Sequence, residues 1–277
     1  MATLENISLV AAIIVVALSI VFSFTAMLSG KKTKSPAGET RMWKTDRLGI
    51  VTAGLALLLL TVSIVARVIQ TGHGPFSNMY EFSVAFSWGI VAMGLYFQWR
   101  FKVPAVKIVG LVVAFGLLIF ANTLSSKPAP LVPALQQSTL LSVHVACAII
   151  AYGTFTIGFG SAILFLVQNR KGVSWLPSAE TLDSMSYHSV VIGFPFLTLT
   201  ILLGALWADI AWGRYWGWDP KETASLVTWL LFAAYLHARI MRGWRGTRAA
   251  TLIILGFVAV LFTFFGNYIF SGLHSYN

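Results

Sequence analysis

The residue types able to carry chemistry in this chain are a charged aromatic stretch and five histidines. The stretch 212-WGRYWGWDPKE-222 holds three tryptophans, one tyrosine, two glycines and four charged residues in eleven positions. Trp207, Trp212, Trp216, Trp218 and Trp229 put half of the ten tryptophans within 23 residues. The histidines are His73, His144, His188, His237 and His274. Cysteine is informative by its scarcity. Cys147 stands alone, so the chain forms no internal disulfide and has no CxxC pair for thiol exchange or zinc. No Ser–His or Cys–His nucleophile set is visible, and redox chemistry has to come from a cofactor or a partner.

The aromatic stretch has two readings. In the first it is an interfacial belt, where indole and phenol rings bury a flat body and leave a polar tip wet. Asp219-Pro220-Lys221-Glu222 then starts a helix, with Asp219 at the N-cap, Pro220 at the first helical position and Glu222 in the reciprocal capping position. In the second reading the stretch is a platform. Trp212 and Trp216 share a face if the segment is helical. Gly213 and Gly217 remove side chains beside the rings and let a flat ligand approach the backbone. Arg214, Lys221 and the helix N-terminus set positive charge at the edge. An apolar platform with cationic edges suits a planar ligand bearing carboxylates, and haem with its propionates fits that description.

Haem iron takes axial ligands, commonly histidine. A histidine in such a chain is more often interfacial or hydrogen-bonded within a bundle, so position has to discriminate. His144 falls near one end of the apolar run 139–168. His274 falls just past the end of the run 250–271, at a similar height and on the same side as the tryptophans. Two imidazoles flanking one platform is what a six-coordinate haem requires. His237 lies about 17 residues after Pro220, roughly 26 Å along a helix, toward the other side. It reads either as an interfacial histidine beside Arg239 or as a ligand for haem within the membrane. His73, in a loop, and His188, at the start of an apolar run, read as structural or accessory.

The elements that position these groups are membrane spans. The chain is 57% apolar and only 10% charged, with a mean hydropathy of +0.81, too apolar for an ordinary soluble domain. Charges gather between apolar runs of about 20 residues, the length that crosses a hydrocarbon core of roughly 30 Å. Eight runs are expected: 7–28, 49–69, 80–98, 105–121, 139–168, 189–211, 221–241 and 250–271. They do not alternate, which excludes a barrel. The first is too long for a signal peptide and lacks a small-residue cleavage site. The fifth exceeds the membrane core, so one end is expected to project. The class is an all-α polytopic membrane protein of about eight transmembrane helices in a single integral domain, 1–277, with no fixed-period repeat.

Lysine and arginine orient it. Loops 29–48, 99–107, 169–188 and 239–248 hold fifteen of the nineteen basic residues, the mark of cytoplasmic loops. Only Arg67, Lys127, Arg214 and Lys221 lie elsewhere. Both termini and the tryptophan loop are therefore expected on the extracytoplasmic side. The net charge of +10 is this inside signal and needs no nucleic acid to explain it. On the other side, 70-QTGHGPFSNMYE-81 is rich in turn formers, and Asn78 with Glu81 fits a helix cap. Loop 122–138, with Pro128, Pro130 and Pro133, reads as an extended, semi-rigid cover.

The aromatic stretch, preceded by "GFPFLTLTILLGALWA" and followed by "TWLLFAAYLHAR", resembles the WWD signature of haem-handling proteins in cytochrome c maturation. Within that group the chain resembles the CcsA family, also called ResC, of the System II pathway. The likeness extends to "GPFSNMYE", "LLSVHVACAIIAYGTF" and "GNYIFSGLHSYN", and so covers about residues 70–277; the first two spans match only in character. The resemblance implies a cytochrome c synthase (haem lyase) formed with a CcsB- or ResB-type membrane partner. Such a complex moves haem b outward and joins its vinyl groups to the CxxCH cysteines of apocytochrome c, supplied with reduced thiols by an external system. The family's external axial ligands fall on His144 and His274 and its intramembrane ligand on His237, with the opposing intramembrane ligand expected from the partner. The platform falls on Trp212, Gly213, Trp216, Trp218, Asp219, Pro220 and Lys221, flanked by Trp207, Gly217 and Trp229, with Arg214 and Lys221 as propionate contacts. The membrane would be the bacterial cytoplasmic membrane, or the thylakoid membrane in a cyanobacterium or plastid. One departure stands out: many relatives carry tryptophan where this chain has Ala224, and Trp229 is the nearest replacement for that wall.

Three other readings compete. A haem exporter or chaperone would deliver haem to a carrier without making the bond. An electron-transfer cytochrome b would keep its haem, but needs paired histidines within one helical core, and His237 has no partner at its depth in the sequence. A purely structural belt would carry no haem at all.

Overall fold

The computed structural model describes residues 1–29, 46–128 and 138–269. In these residues the apolar runs become eight α-helices: α1 (Ala2–Ser29), α2 (Arg47–Thr71), α3 (Met79–Phe101), α4 (Pro104–Thr123), α5 (Ser138–Lys171), α6 (Ala179–Trp212), α7 (Pro220–Met241) and α8 (Thr247–Ile269). All eight are long and apolar enough to cross a membrane, and no strand occurs among the described residues. The all-α polytopic class expected from the sequence is the class observed.

The run expected at 189–211 is longer than hydropathy alone shows. α6 begins at Ala179, where the Ser178 side chain accepts from the Thr181 amide and caps it. Its first turns, AETLDSMSYH, are too polar to register as part of an apolar run. His188 therefore sits well inside a helix and not at its start, donating from Nδ1 to the Ser184 carbonyl at 2.7 Å. Both α5 and α6 have 34 residues, about 51 Å at ~1.5 Å per residue. Each is longer than a bilayer core needs; the sequence anticipated this for α5 only.

Lipid tails are as apolar as leucine, so close fit between small residues, more than burial from water, brings such helices together. α3 and α5 meet in this way. A Cβ on Gly153 would stand 2.9 Å from the Gly89 carbonyl oxygen, so the two backbones touch. Around this pair α1, α2, α3 and α4 close on Val16, Ala53, Leu60 and Leu111. The remaining helices close on a second core, where Phe155 stacks on Phe232 at 3.8 Å.

Ionic ties fix both ends of the bundle. At the end of the tryptophan loop, Arg67 of α2 donates from Nε to Glu81 of α3 at 2.8 Å and from Nη1 to the Ser126 carbonyl at 2.6 Å, and it faces Glu5 of α1 at 3.5 Å. The Tyr80 hydroxyl also donates to Glu5. At the opposite end, Lys107 of α4 and Gln98 of α3 both donate to Asp46, each at 2.7 Å. At that same end Arg239 of α7 grips Asp183 of α6 through two bonds of 2.9 and 2.6 Å. Charges this deeply placed persist only when paired. Most of the basic connector 29–48, and Pro130 and Pro133 of loop 122–138, lie outside the described residues.

Candidate functional site

A cavity of about 1370 Å³, counting the space open at its mouth, lies between α3, α5, α6, α7 and α8 at the tryptophan-loop end. Its walls are mainly apolar. Two loops rim it, each pinned by a glutamate in the first turn of the next helix. Before α3, Asn78 caps the helix by accepting from the Glu81 amide at 3.0 Å, as the sequence indicated. The Glu81 carboxylate reaches back past the cap to the Ser77 amide and hydroxyl, at 2.8 and 2.7 Å. This seats Phe76, 1% exposed, against Leu141, Val145 and Trp207. Before α7, Asp219 and Glu222 form the capping box expected of the sequence. Glu222 Oε2 accepts from the Asp219 amide at 3.2 Å and from the Gly217 amide at 2.8 Å.

The interior is aromatic. Phe86 of α3 stacks on Tyr152 of α5 at 5.5 Å and meets the edge of Phe264 of α8 at 5.3 Å. The polar floor is supplied by Thr263 of α8, whose hydroxyl lies 3.2 Å from that of Thr228 of α7. Lys221 lines the cavity with its Nζ 5.1 Å from the centre of the Phe82 ring, a distance at which the ring face attracts a cation.

His144 projects from α5 into this cavity. Its Nδ1 is 2.8 Å from the Thr200 carbonyl oxygen of α6. A carbonyl only accepts, so Nδ1 carries a proton and donates it to Thr200. Iron-ligating histidines are commonly oriented by such a bond from the distal ring nitrogen. The approach depends on Gly204, one turn further along α6. A Cβ there would stand 2.8 Å from Cε1 and 3.1 Å from Nδ1 of His144.

The other sequence-assigned residues divide. Trp207, Trp216 and Lys221 line the cavity with His144. Trp212 ends α6 and packs edge-on against Trp207 at 4.7 Å. Residues 213–219 are not helical, so Trp212 and Trp216 do not share a helix face. Gly213 is the left-handed C-cap of α6, its amide bonding the Asp209 carbonyl. Gly217 makes room for the Arg214 guanidinium, which would lie 3.0 Å from a Cβ there. Arg214 is exposed at the rim. Asp219 and Pro220 act through the helix start. Trp218 is 70% exposed and is not among the residues that line the cavity. Trp229 lies deeper on α7, donating from Nε1 to Thr198 at 2.9 Å and packing on Phe194; neither it nor Ala224 lines the cavity. His237 is exposed on the face of α7 turned away from the buried Thr228 and Phe232. His73 is buried in the α2–α3 loop beside Phe76, with Nδ1 bonded to the Gly74 carbonyl. His274 lies outside the described residues.

Sequence reasoning missed Thr200, Gly204, Phe76, Tyr152 and Thr263. For the first two, the available signal was a threonine and a glycine one turn apart in an apolar run, which marks a close approach without naming the visitor. Among the described residues no cluster of three or more histidine, cysteine or acidic side chains could hold a bare metal ion.

Fold and site together define a multi-pass helical membrane protein with an apolar cavity, an oriented imidazole and a cationic rim at one end. Residues 76–274 match the family model described as "Cytochrome C assembly protein". The chain is 39% identical over 251 residues to the cytochrome c biogenesis protein CcsA of Guillardia theta, covering 80% of this chain and 83% of that one. It is 42% identical over 235 residues to that of Chlamydomonas reinhardtii, with 80% and 66% covered. With that of Gloeobacter violaceus the figure is 37% over 292 residues, with 83% and 86% covered. Among solved structures it resembles the cytochrome c haem lyase CcmF with a TM-score of 0.65 at 21% identity, over 95% of this chain and 46% of that one; this likeness speaks for the fold. The chain belongs to the cytochrome c assembly protein family, in its CcsA group.

Proposed function

We propose that this chain is the haem-handling subunit of a cytochrome c synthase, acting in cytochrome c maturation. The observation that carries this reading is His144: an imidazole whose Nδ1 is held by the Thr200 carbonyl, projecting into an aromatic cavity under the tryptophan loop. Haem b is substrate here, and the cavity offers it aromatic walls and an open mouth. His144 supplies one axial ligand and His274 is assigned the other. Trp207 and Trp216 offer ring surface, and Lys221, with Arg214 outside it, meets the propionates. The loop lies on the extracytoplasmic face.

The chemistry asks little of the protein beyond position. Each apocytochrome thiol adds across a vinyl group, forming one C–S and one C–H bond with no atom lost and no net redox change. No protein nucleophile is needed. Holding haem and peptide in register replaces much of a bimolecular barrier, by up to about 7–11 kcal/mol in favourable cases. His237, on the outward face of α7, serves a separate intramembrane site completed by a CcsB- or ResB-like partner. The thiols are kept reduced by an external system.

The test is a visible spectrum of the purified chain with and without its partner, in wild type, His144→Ala and His274→Ala, with imidazole added back. Co-expressed apocytochrome c is scored for haem that survives denaturation. The expected result is loss of bound haem and product in both variants, with partial return on adding imidazole. Spectra and yields unchanged by both substitutions would overturn the ligand assignment. Bound haem that never becomes covalent in the partnered wild type would leave an export or chaperone role.

A further inference from the structure

Trp218 has φ +55°, in the left-handed region where a bulky side chain is a true outlier. Such a conformation is unfavourable for a residue with a Cβ and persists only where the surroundings enforce it. The enforcement is visible. Glu222 Oε2 accepts from the amides of Gly217 and Asp219, the two residues flanking Trp218. A capping box needs only the second of these bonds. The first closes a ring around residue 218. Its result is a divided pair of indoles. Trp216 lines the cavity, while Trp218 stands 70% exposed, at 87° to Trp216 and 5.8 Å away.

We propose that Glu222 is a positioning residue for haem. Its single oxygen holds residue 218 in the left-handed well, and this sets the loop shape that turns Trp216 and Tyr215 over the cavity mouth. The inference rests on the haem-handling reading above and adds a residue to it. Both amides use the same oxygen, so what matters is an acceptor at that point and not the charge. Glutamine at 222 keeps the acceptor. Glycine at 218 removes the Cβ penalty that makes a clamp necessary.

The experiment compares wild type, Glu222→Gln, Glu222→Ala, Trp218→Gly and the double variant Glu222→Ala/Trp218→Gly, each purified with the partner protein. It reads the Soret maximum, the haem retained and the covalent cytochrome c formed. Glu222→Gln is expected within about twofold of wild type. Glu222→Ala should shift the Soret band and lower retained haem and product at least tenfold. The double variant should regain the wild-type Soret position and most of the retained haem. If Glu222→Ala fails to accumulate, the same suppression is read as accumulation of the double variant. The inference is overturned if Glu222→Ala matches wild type, if Glu222→Gln is as impaired as Glu222→Ala, or if glycine at 218 restores nothing. A wild-type complex without haem would instead overturn the underlying reading.

Discussion

Gly204 and His144 are in contact across the α5–α6 packing, close enough that a Cβ on residue 204 would stand 2.8 Å from the imidazole Cε1. Real Cβ atoms do not come that near, so any larger residue at 204 displaces the ring. The displaced ring loses its 2.8 Å bond to the Thr200 carbonyl, and Nδ1 is no longer fixed as the protonated nitrogen.

Gly204→Ala is therefore expected to behave as a weak His144→Ala. Overpacking of this kind costs about 1–3 kcal/mol. Retained haem should fall roughly five- to a hundredfold by the usual conversion of about 1.4 kcal/mol per decade. Visible spectra with added imidazole check it: imidazole should restore His144→Ala better than Gly204→Ala, because in the latter the displaced native ring still occupies part of the cavity.

Arg67 is the hub of the buried cluster that holds the other rim of the cavity. Arg67→Met strands Glu5 and Glu81, which are 3% and 1% exposed. Removing one partner of such a group costs about 3–5 kcal/mol. The expected outcome is a large drop in thermal stability in detergent, with loosening of the loop that carries Phe76. Pairing Arg67→Met with Glu81→Gln should recover part of the loss, because one stranded charge is gone. Equal melting temperatures for wild type and Arg67→Met would contradict the structural role.

These two cases show what the sequence could and could not disclose. Apolar run length located all eight helices, and local chemistry located the Asp219–Glu222 box, because both depend on neighbours in the chain. The bond from His144 to Thr200 spans 56 positions and depends on how two long helices cross, which no local pattern encodes. Arg67 was legible in part. An arginine and two glutamates at the edges of apolar runs are costly enough to signal pairing, but not to say with whom. Trp218 shows another limit. The resemblance sets it on the platform with Trp216, but no local pattern announces the left-handed backbone at 218 that leaves its ring 70% exposed and outside the cavity lining.

Lys221 offers a test of the cationic rim. Its ammonium lies over Phe82, 5.1 Å from the ring centre, and lines the cavity. Lys221→Met keeps the aliphatic stem and removes the charge. Retained haem should fall about three- to tenfold, in line with one partly exposed charge contact of roughly 0.5–1.5 kcal/mol. Lys221→Arg should keep most of it. Haem esterified at both propionates should bind wild type and Lys221→Met alike, and a persistent difference with the diester would remove the propionate assignment.

At the far end of the bundle, Arg239 and Asp183 give the control that separates fold from site. Their paired bonds tie α7 to α6, and Asp183 also accepts from the Gly246 amide just before α8 at 3.3 Å. Neither residue lines the cavity. Arg239→Met leaves Asp183 with a single backbone donor in a largely buried place, at a cost of about 2–4 kcal/mol after allowing for its partial exposure. Melting in detergent should register that loss. The Soret position of haem bound to the surviving folded fraction should match wild type, because the three helix ends concerned lie at the opposite end from His144 and the tryptophan loop. A shifted Soret band in Arg239→Met, at unchanged stability, would mean that the two ends of the bundle are coupled in a way the packing does not show.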